Sequence, residues 1–259
     1  MFLNGAAACG VEEELKELER RSLEGMATFL TRLFPYLADC EAERYLLLAG
    51  VDLLVAARDI ATDRRMKRSS ERATEEALRM AVKCAALAAG HPDPDRLIGA
   101  WVAVSSRLDE AARLVAKVRR HSPSSTLHNL AVLLDGPPAG GRRGGLLIRA
   151  WQQLAASRQP QPRRVLFHHT TSTPLVRTLL DAIHGFYLQA LARLPAGEMR
   201  SRFHRSLVKG GHCYGPLDPI SSIIVNTIWY DAAFPRTHEL ELDMISTLTR
   251  CSTCCLHKI

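Results

Sequence analysis

The chain has 259 residues, of which 47% are hydrophobic and 24% are charged. A chain of this length buries a large core without disulfide or metal staples, and its composition is ordinary for a soluble globular protein. The 34 Lys and Arg residues exceed the 27 Asp and Glu residues, which gives a net charge of +7. This balance favours acidic partners but is too small to indicate nucleic-acid binding by itself.

The cysteines and the N-terminus bear on the cellular compartment. Seven cysteines, an odd number, are scattered along the chain and do not form the pattern of a disulfide framework, so a reducing compartment is expected. The start of the chain, MFLNGAAACG, lacks the basic region and long apolar core of a signal peptide. The best apolar run, 45–51, stops at Asp52 and is too short to cross a membrane. We therefore expect the cytosol or the nucleus.

The N-terminal part of the chain is predicted to be helical throughout. Apolar residues at spacings of three and four predict helices over 12–34, 41–60 and 71–89. Asp93-Pro94 starts a fourth helix, because an Asp oxygen accepts hydrogen bonds from first-turn amides and proline is tolerated there. This fourth helix is expected to run to about residue 120, and a short fifth covers 124–134.

Stretches rich in Gly and Pro divide the chain. Residues 135–145, DGPPAGGRRGG, are typical of a flexible linker, and a second Pro-containing stretch, SRQPQPRR, follows a short helix. The sequence therefore predicts two multi-helix units joined by a Gly/Pro/Arg-rich linker. The expected parts are an N-terminal helical unit over 11–135, the linker with one short helix over 136–164, a C-terminal helical unit over 165–250 and a disordered tail over 251–259.

The C-terminal unit contains the most regular amphipathic pattern of the chain. Thr173-Pro174 starts a helix whose apolar residues share one face until Pro195 ends it. The preceding run 165–169 is short and apolar, as in an extended segment, and 198–209 predicts one more helix.

The segment 210–235, GGHCYGPLDPISSIIVNTIWYDAAFP, is the stretch around which this unit is expected to be built. Asp218-Pro219 is a second helix start, and the isoleucines that follow it recur at helical spacing. Apolar residues also occupy the opposite side, as in a helix buried on all sides. A strand is the alternative, since Ile, Val and Thr favour sheets, but steps of three and four favour the helix.

Asp231 is the odd residue of this helix. It would lie on an apolar face near the helix end, where the helix dipole disfavours an anion. Either an arginine binds it, or the helix ends near Tyr230 and Asp231 caps a turn into Phe234-Pro235. A catalytic carboxylate is the functional alternative, but no histidine or second acid stands near it in the motif, so a structural role is favoured.

Two stretches carry a family resemblance. The runs CYGPLDPISSIIVNTIWYDAAFP, residues 213–235, and RSLEGMATFLTRLFPYLADCEAERYLLLAGVDLLVAARDI, residues 21–60, followed by GHPDP at 90–94, resemble a plant family abundant in grasses, the PIR-two-like helical domain. The likeness covers 21–60 and about 165–248. It implies an all-helical fold and supplies no catalytic residues.

After Pro235 the pattern weakens. The run HELELDMISTLTR is compatible with a further helix, whereas CSTCCLHKI has no apolar face to bury. The resemblance implies a continuation of the type Arg-Ser-Leu-x-Gly-Leu where this chain has RCST at 250–253. We therefore expect a truncated or frameshifted copy, in which the second unit lacks closing helices and exposes apolar surface.

The tail has the residue types of a zinc site without the full pattern. A structural zinc site needs a second pair of ligands across a loop, and the tail has no such pair. Metal binding is therefore not predicted for Cys251, Cys254, Cys255 and His257.

Three further patterns also stop short of a site. His168-His169 precede two threonines, but no motif places a nucleophile beside them. His238-Glu239 begins an H-E-x-x-H pattern in which Leu242 stands where the second ligand must be. The glycines of 136–145 lack the Gly-Lys-Ser/Thr end of a phosphate-binding loop. No catalytic, cofactor-binding or metal-binding residue is predicted, and no small-molecule substrate is indicated.

Four basic runs support a different class of function. Residues 64–68, 117–120, 142–143 and 163–164 have the charge to contact phosphates or to direct nuclear import. No aromatic residues interleave with them, as single-strand binding requires, so solvated loops and helix ends are the favoured interpretation.

We therefore expect an all-α protein that acts as a non-catalytic protein-interaction or regulatory scaffold with an unknown protein partner. The alternative is a nuclear nucleic-acid-associated factor that binds through its basic loops, and salt-dependent binding separates the two. An enzyme is the third possibility and would need a site assembled from residues far apart in the sequence.

Overall fold

The computed structural model describes residues 4–64, 71–119, 124–135, 151–152, 172–195, 197 and 202–235. Within these ranges the chain forms helices, turns and loops, with no strand. The prediction of an all-α protein is confirmed.

Ten α-helices lie in the described ranges. They are α1 (Asn4–Leu33), α2 (Asp39–Leu48), α3 (Leu53–Asp63), α4 (Glu71–Ala88), α5 (Pro94–Ser105), α6 (Leu108–Lys117), α7 (Ser124–Asp135), α8 (Ser172–Arg193), α9 (His204–Gly210) and α10 (Pro219–Ala233).

The N-terminal and C-terminal helices pack against one another in a shared hydrophobic core. Helix α10 contacts α6, α7, α8 and α9, while α1 contacts α2, α3, α4, α8 and α9. Ile224 of α10, Leu30 of α1 and Leu130 of α7 all belong to this core and have no exposed surface.

Helix α10 forms where its sequence predicts. The Asp218 carboxylate accepts a hydrogen bond from the amide of Ser221 at 3.1 Å, and Pro219 occupies the first helical position. Residues 222–230 are all buried, so the isoleucine-rich stretch is a central helix and not a strand. Because the helix continues to Ala233, it does not end near Tyr230.

The single helix predicted over 41–60 is wrong, because the structure has two helices, α2 and α3, in its place. Gly50 and Val51 have φ angles of 62° and 64°, which break the helix. The Asp52 carboxylate then accepts hydrogen bonds from the amides of Leu54 at 3.1 Å and Val55 at 3.2 Å and so starts α3. A β-branched residue is strained at positive φ, and burial of Val51 in the core offsets that strain.

The helix predicted from residue 94 to about 120 is also divided, into α5 and α6. The hydroxyl groups of Ser105 and Ser106 donate to carbonyl oxygens of the preceding turn, at 2.6 Å and 2.8 Å. Such bonds compete with the helical pattern. Arg107 follows with a φ of −140°, outside the helical range, so α6 takes a new direction and contacts α7 and α10.

Helix α1 begins at Asn4, before the predicted start at residue 12, and α9 covers the later part of the helix predicted over 198–209, whereas α4, α7 and α8 lie close to their predicted ranges. Gly90, with a φ of 67°, ends α4, and the Asp93 carboxylate accepts a hydrogen bond from the amide of Arg96 at 3.0 Å at the start of α5. None of the described helices combines the length and the apolar character that crossing a membrane requires.

Most of the predicted linker, the run 165–169 and the tail 251–259 fall outside the described residues. Trp151 and Gln152 are the described part of the linker, and both are helical. The Trp151 ring packs on Phe29 of α1 with ring centroids 5.1 Å apart and is 6% exposed, so this point of the linker joins the core.

Candidate functional site

The most unusual feature of the interior is a loop that runs through it. Residues 211–218, here called the central loop, connect α9 to α10, and 211–217 are buried. A buried loop needs partners for its backbone polar groups. The Asn226 amide of α10 donates to the carbonyl oxygens of His212 at 2.8 Å and Tyr214 at 3.0 Å, which fixes the loop on the central helix.

Two hydroxyl groups connect the central loop to helices far away in sequence. Tyr187 of α8 donates its proton to the carbonyl oxygen of Gly211 at 3.0 Å. Its oxygen therefore accepts the proton of Ser22 of α1, 2.7 Å away, and the Ser22 oxygen accepts the amide of Cys213 at 3.3 Å. The proton positions follow from each hydroxyl having a single hydrogen. This hydroxyl relay begins and ends on the central loop.

Further contacts join α1 to the C-terminal helices beside the relay. Arg21 donates to the carbonyl oxygen of Val208 at 2.6 Å, and the Glu19 carboxylate lies 2.7 Å from His184 Nδ1 of α8. Polar residues of α1 thus hold α8 and the end of α9 in place.

Two glycines make room for aromatic rings that pack against backbone. A Cβ at Gly25 of α1 would lie 2.8 Å from the Tyr214 ring, and a Cβ at Gly210 would lie 2.5 Å from the Tyr230 ring. Both distances are shorter than real Cβ contacts, so an alanine at either position displaces a buried ring.

Two buried histidines face each other beside the central loop. His91 follows α4, and His212 belongs to the central loop; their ring centroids are 6.0 Å apart. His91 stacks on Trp229 at 5.7 Å, and His212 stacks on Tyr214 at 5.4 Å. The two rings thereby link the turn after α4, the central loop and α10.

Both histidines are held in the neutral form. Burial lowers the pKa of His91 to about 4, although the negative charge of Asp93 acts in the opposite direction. Burial also lowers the pKa of His212 well below its ordinary value, with His91 and Arg21 acting in the same direction. Because Nδ1 of His91 is an acceptor, its proton lies on Nε2.

The same histidines carry polar atoms that have no hydrogen-bond partner among the described residues. His91 Nε2 and both ring nitrogens of His212 make no hydrogen bond within the described part of the chain. Such a group loses its hydrogen bonds to water on folding, at about 1–3 kcal/mol each, so the aromatic contacts must offset this loss.

Arginines surround the end of α10. Arg96 donates to the carbonyl oxygen of Ala233 at 2.7 Å and lies over the Phe234 ring at 5.0 Å. Arg205 donates to the carbonyl oxygen of Phe234 at 3.2 Å. Cations near a helix C-terminus satisfy its free carbonyl groups and complement its dipole.

Asp231 binds an arginine, which is one of the two alternatives that the sequence left open. Its carboxylate lies 2.8 Å from Arg202 Nε and accepts a 3.4 Å hydrogen bond from the hydroxyl of Ser206. The ion pair with Arg202, just before α9, neutralises the carboxylate and explains how an acid is accommodated at this helix end.

The buried thiol, phenol and imidazole groups are uncharged at neutral pH. Burial raises the pKa of the Cys213 thiol to about 12, so it is protonated at neutral pH. Across the described ranges, no three His, Cys, Asp or Glu side chains are grouped to hold a metal ion. These groups link helices to the central loop.

The other sequence patterns weighed as sites lie outside the described residues: the tail cysteines and His257, His168-His169, His238-Glu239 and the glycines of 136–145. The residues that the sequence analysis missed are Ser22, Tyr187, His91 and His212. Ser22 carried a signal, since it lies four residues from both Leu18 and Met26 on the apolar side of α1. A polar residue on a buried face requires a partner.

The comparisons with known proteins identify the family. No curated protein and no solved structure matches the chain. The model of the family described as PIR2-like, helical domain matches residues 6–61 and 181–258, together just over half of the chain. These segments include Arg21, Ser22, Tyr187 and the central loop. The protein therefore belongs to the PIR2-like helical domain family.

Proposed function

We propose that this protein is a non-catalytic helical scaffold that acts by binding another protein through its outer surface. The observation that supports this role is the inward orientation of the side chains in the family segment. Trp229, Tyr230, Asn226 and Asp231 bind or pack against other parts of the same chain. A partner would therefore bind to the exposed surfaces of the helices.

The described arginines of the basic runs form contacts within the chain, which favours the scaffold role over nucleic-acid binding. Arg64 pairs with Glu41 at 2.9 Å, and Arg119 donates to the carbonyl oxygens of Ala116 at 2.5 Å and Val118 at 2.9 Å. Guanidinium groups engaged in this way are less available to phosphates.

The proposal includes a plant source, a cytoplasmic or nuclear location, no cofactor and no small-molecule substrate. The plant source rests on the family resemblance alone. Each part is separately testable, and the binding of a protein partner is the central one.

The test is capture from native tissue followed by titration with purified components. The full chain is expected to bind one or more proteins saturably, with affinity that changes little between 50 and 200 mM salt, conditions over which about six to ten phosphate contacts lose 10³–10⁵ in affinity. A variant with Arg142→Gln and Arg143→Gln in a predicted basic loop is the control and should bind the partner equally well. Tight, salt-steep binding to nucleic acid that this variant weakens would establish the alternative instead.

A further inference from the structure

The turn between α1 and α2 holds a tyrosine side chain out in the solvent. Tyr36 is 92% exposed, the highest value among the large hydrophobic residues that the structure describes. On either side of it Phe34 and Leu37 are buried, and the amide of Leu37 donates to the carbonyl oxygen of Phe34 at 2.9 Å. The turn is therefore fixed to the core on both sides of Tyr36. We call Tyr36, Asp39 and Glu43 the tyrosine corner.

A tyrosine held outward by a fixed turn is suited to protein recognition. Its ring offers a large contact surface, and only two side-chain torsions have to be fixed on binding. The fixed turn lowers the entropy cost further, because the backbone is already ordered. Within the described ranges Tyr36 forms no hydrogen bond or ring contact, so its ring and hydroxyl are both available.

Two acidic side chains beside this tyrosine lack a cation. Asp39 and Glu43 are four residues apart in α2, which puts them on one side of the helix. Burial raises the pKa of Glu43 above its ordinary value, and the charge of Asp39 acts in the same direction. Neither carboxylate forms an ion pair with another described residue, and Glu43 Oε2 is buried without a hydrogen-bond partner there. Glu41 of the same helix, by contrast, pairs with Arg64 at 2.9 Å.

The ring and the two carboxylates together suit an arginine side chain. A guanidinium group over the face of Tyr36 is attracted by the ring, and it can donate to two carboxylate oxygens at once. The helix dipole does not account for both acids. It stabilises Asp39 in the first turn of α2 but fades before Glu43 in the second.

We infer that the tyrosine corner docks a basic segment of a partner protein, with an arginine between the Tyr36 ring and the carboxylates of Asp39 and Glu43. The docking site rests on the proposed scaffold role and adds the chemical class of the partner. The net charge of +7 opposes a basic partner at long range, but charges more than about 8 Å away are largely screened at physiological salt. The negative charge of the corner therefore decides what binds there.

The test titrates the isotope-labelled full chain with the peptide acetyl-Gly-Arg-Gly-Arg-Gly-amide at about 0.15 M salt and follows the amide chemical shifts. The shifts around residues 34–44 should change saturably, and the same peptide with Glu in place of Arg should leave them unchanged. Asp39→Asn with Glu43→Gln removes both charges at nearly constant shape, and Tyr36→Ala removes the ring. Each variant should weaken binding of the arginine peptide about fivefold.

Matched controls separate this site from a general effect of charge. Asp109→Asn with Glu110→Gln removes an exposed acidic pair of equal charge from the start of α6 and should leave the affinity unchanged. Equal affinities of the wild type and the Asp39→Asn, Glu43→Gln variant overturn the inference. Shifts that arise only when the basic run 65–68 is neutralised by glutamine also overturn it, because the chain's own loop then occupies the corner.

The partner captured with the full chain distinguishes this docking site from the scaffold role. Loss of its binding in the Asp39→Asn, Glu43→Gln variant, but not in the α6 control, supports the docking site. A partner that binds the wild type and this variant equally well overturns the docking site and leaves the scaffold role intact. The absence of any saturably bound protein refutes the scaffold role itself, and the docking site with it.

Discussion

Replacing His91 should make the stability of the protein less sensitive to acid. The folded protein holds this imidazole at a pKa of about 4, against an ordinary value of 6.5. Between these values the unfolded chain binds a proton that the folded chain does not, so stability falls as the pH falls. The difference between the two pKa values lowers the free energy of unfolding by about 3 kcal/mol at pH 4 and below. This loss vanishes above about pH 7. His212 adds a loss of the same sign, because burial lowers its pKa too.

The assay is urea unfolding of the full chain at a series of pH values from 8 to 4. His91→Asn is the informative variant, because the Asn oxygen can accept a hydrogen bond from the Asp93 amide as Nδ1 does, yet the side chain does not gain a proton in this pH range. The variant loses the stacking on Trp229 and should be less stable at pH 8. Its stability should then fall less steeply than that of the wild type between pH 6.5 and 4.

The informative quantity is the slope of the free energy of unfolding against pH. This slope does not depend on how much stability the variant loses at pH 8. The groups near the histidines are Asp93, Arg21, Tyr214 and Tyr230, and all remain in the variant. His128→Asn changes an exposed histidine of α7 and should leave the slope as it is in the wild type. Parallel curves for the wild type and His91→Asn over this range would show that His91 is not held neutral by the fold.

Three more experiments test contacts in and around the central loop by chemical denaturation. Asn226→Leu leaves two buried carbonyl oxygens without donors and should lower the free energy of unfolding by about 3 kcal/mol. Gly210→Ala should destabilise by about 1–3 kcal/mol because its Cβ meets a ring, whereas Gly185→Ala, with no neighbour within 4 Å, should stabilise by about 0.5–1 kcal/mol. Ser22→Ala and Tyr187→Phe each break the hydroxyl relay, so the double variant should lose less than the two single losses together.

Local sequence chemistry predicted helix starts better than it predicted helix breaks. Asp218-Pro219 and Asp93-Pro94 act within one turn, so each start was visible in the sequence. The break at Gly50-Val51 depends on burying a strained valine, which is a property of the assembled core. The helical spacing of apolar residues continues across this break, so the sequence predicted one helix.

The connections around the central loop were beyond local patterns. Ser22 and Tyr187 are 165 positions apart, and Cys213 is 191 positions from Ser22. The residues that flank Ser22, Tyr187 and Cys213 in sequence do not indicate which of them contact one another. The histidines are similar, because His91 follows the turn that ends α4, whereas its ring packs on Trp229 of α10, which is distant in sequence.

The arrangement of these contacts explains how two family segments that are distant in sequence are held together. Arg21 and Ser22 of the first segment bind Val208 and Tyr187 of the second directly. The helices between the segments are added around this pair, since α4 packs on α1 and α7 packs on α10. Changes at the contact between the segments must therefore compensate one another, whereas exposed positions of the intervening helices carry no such constraint.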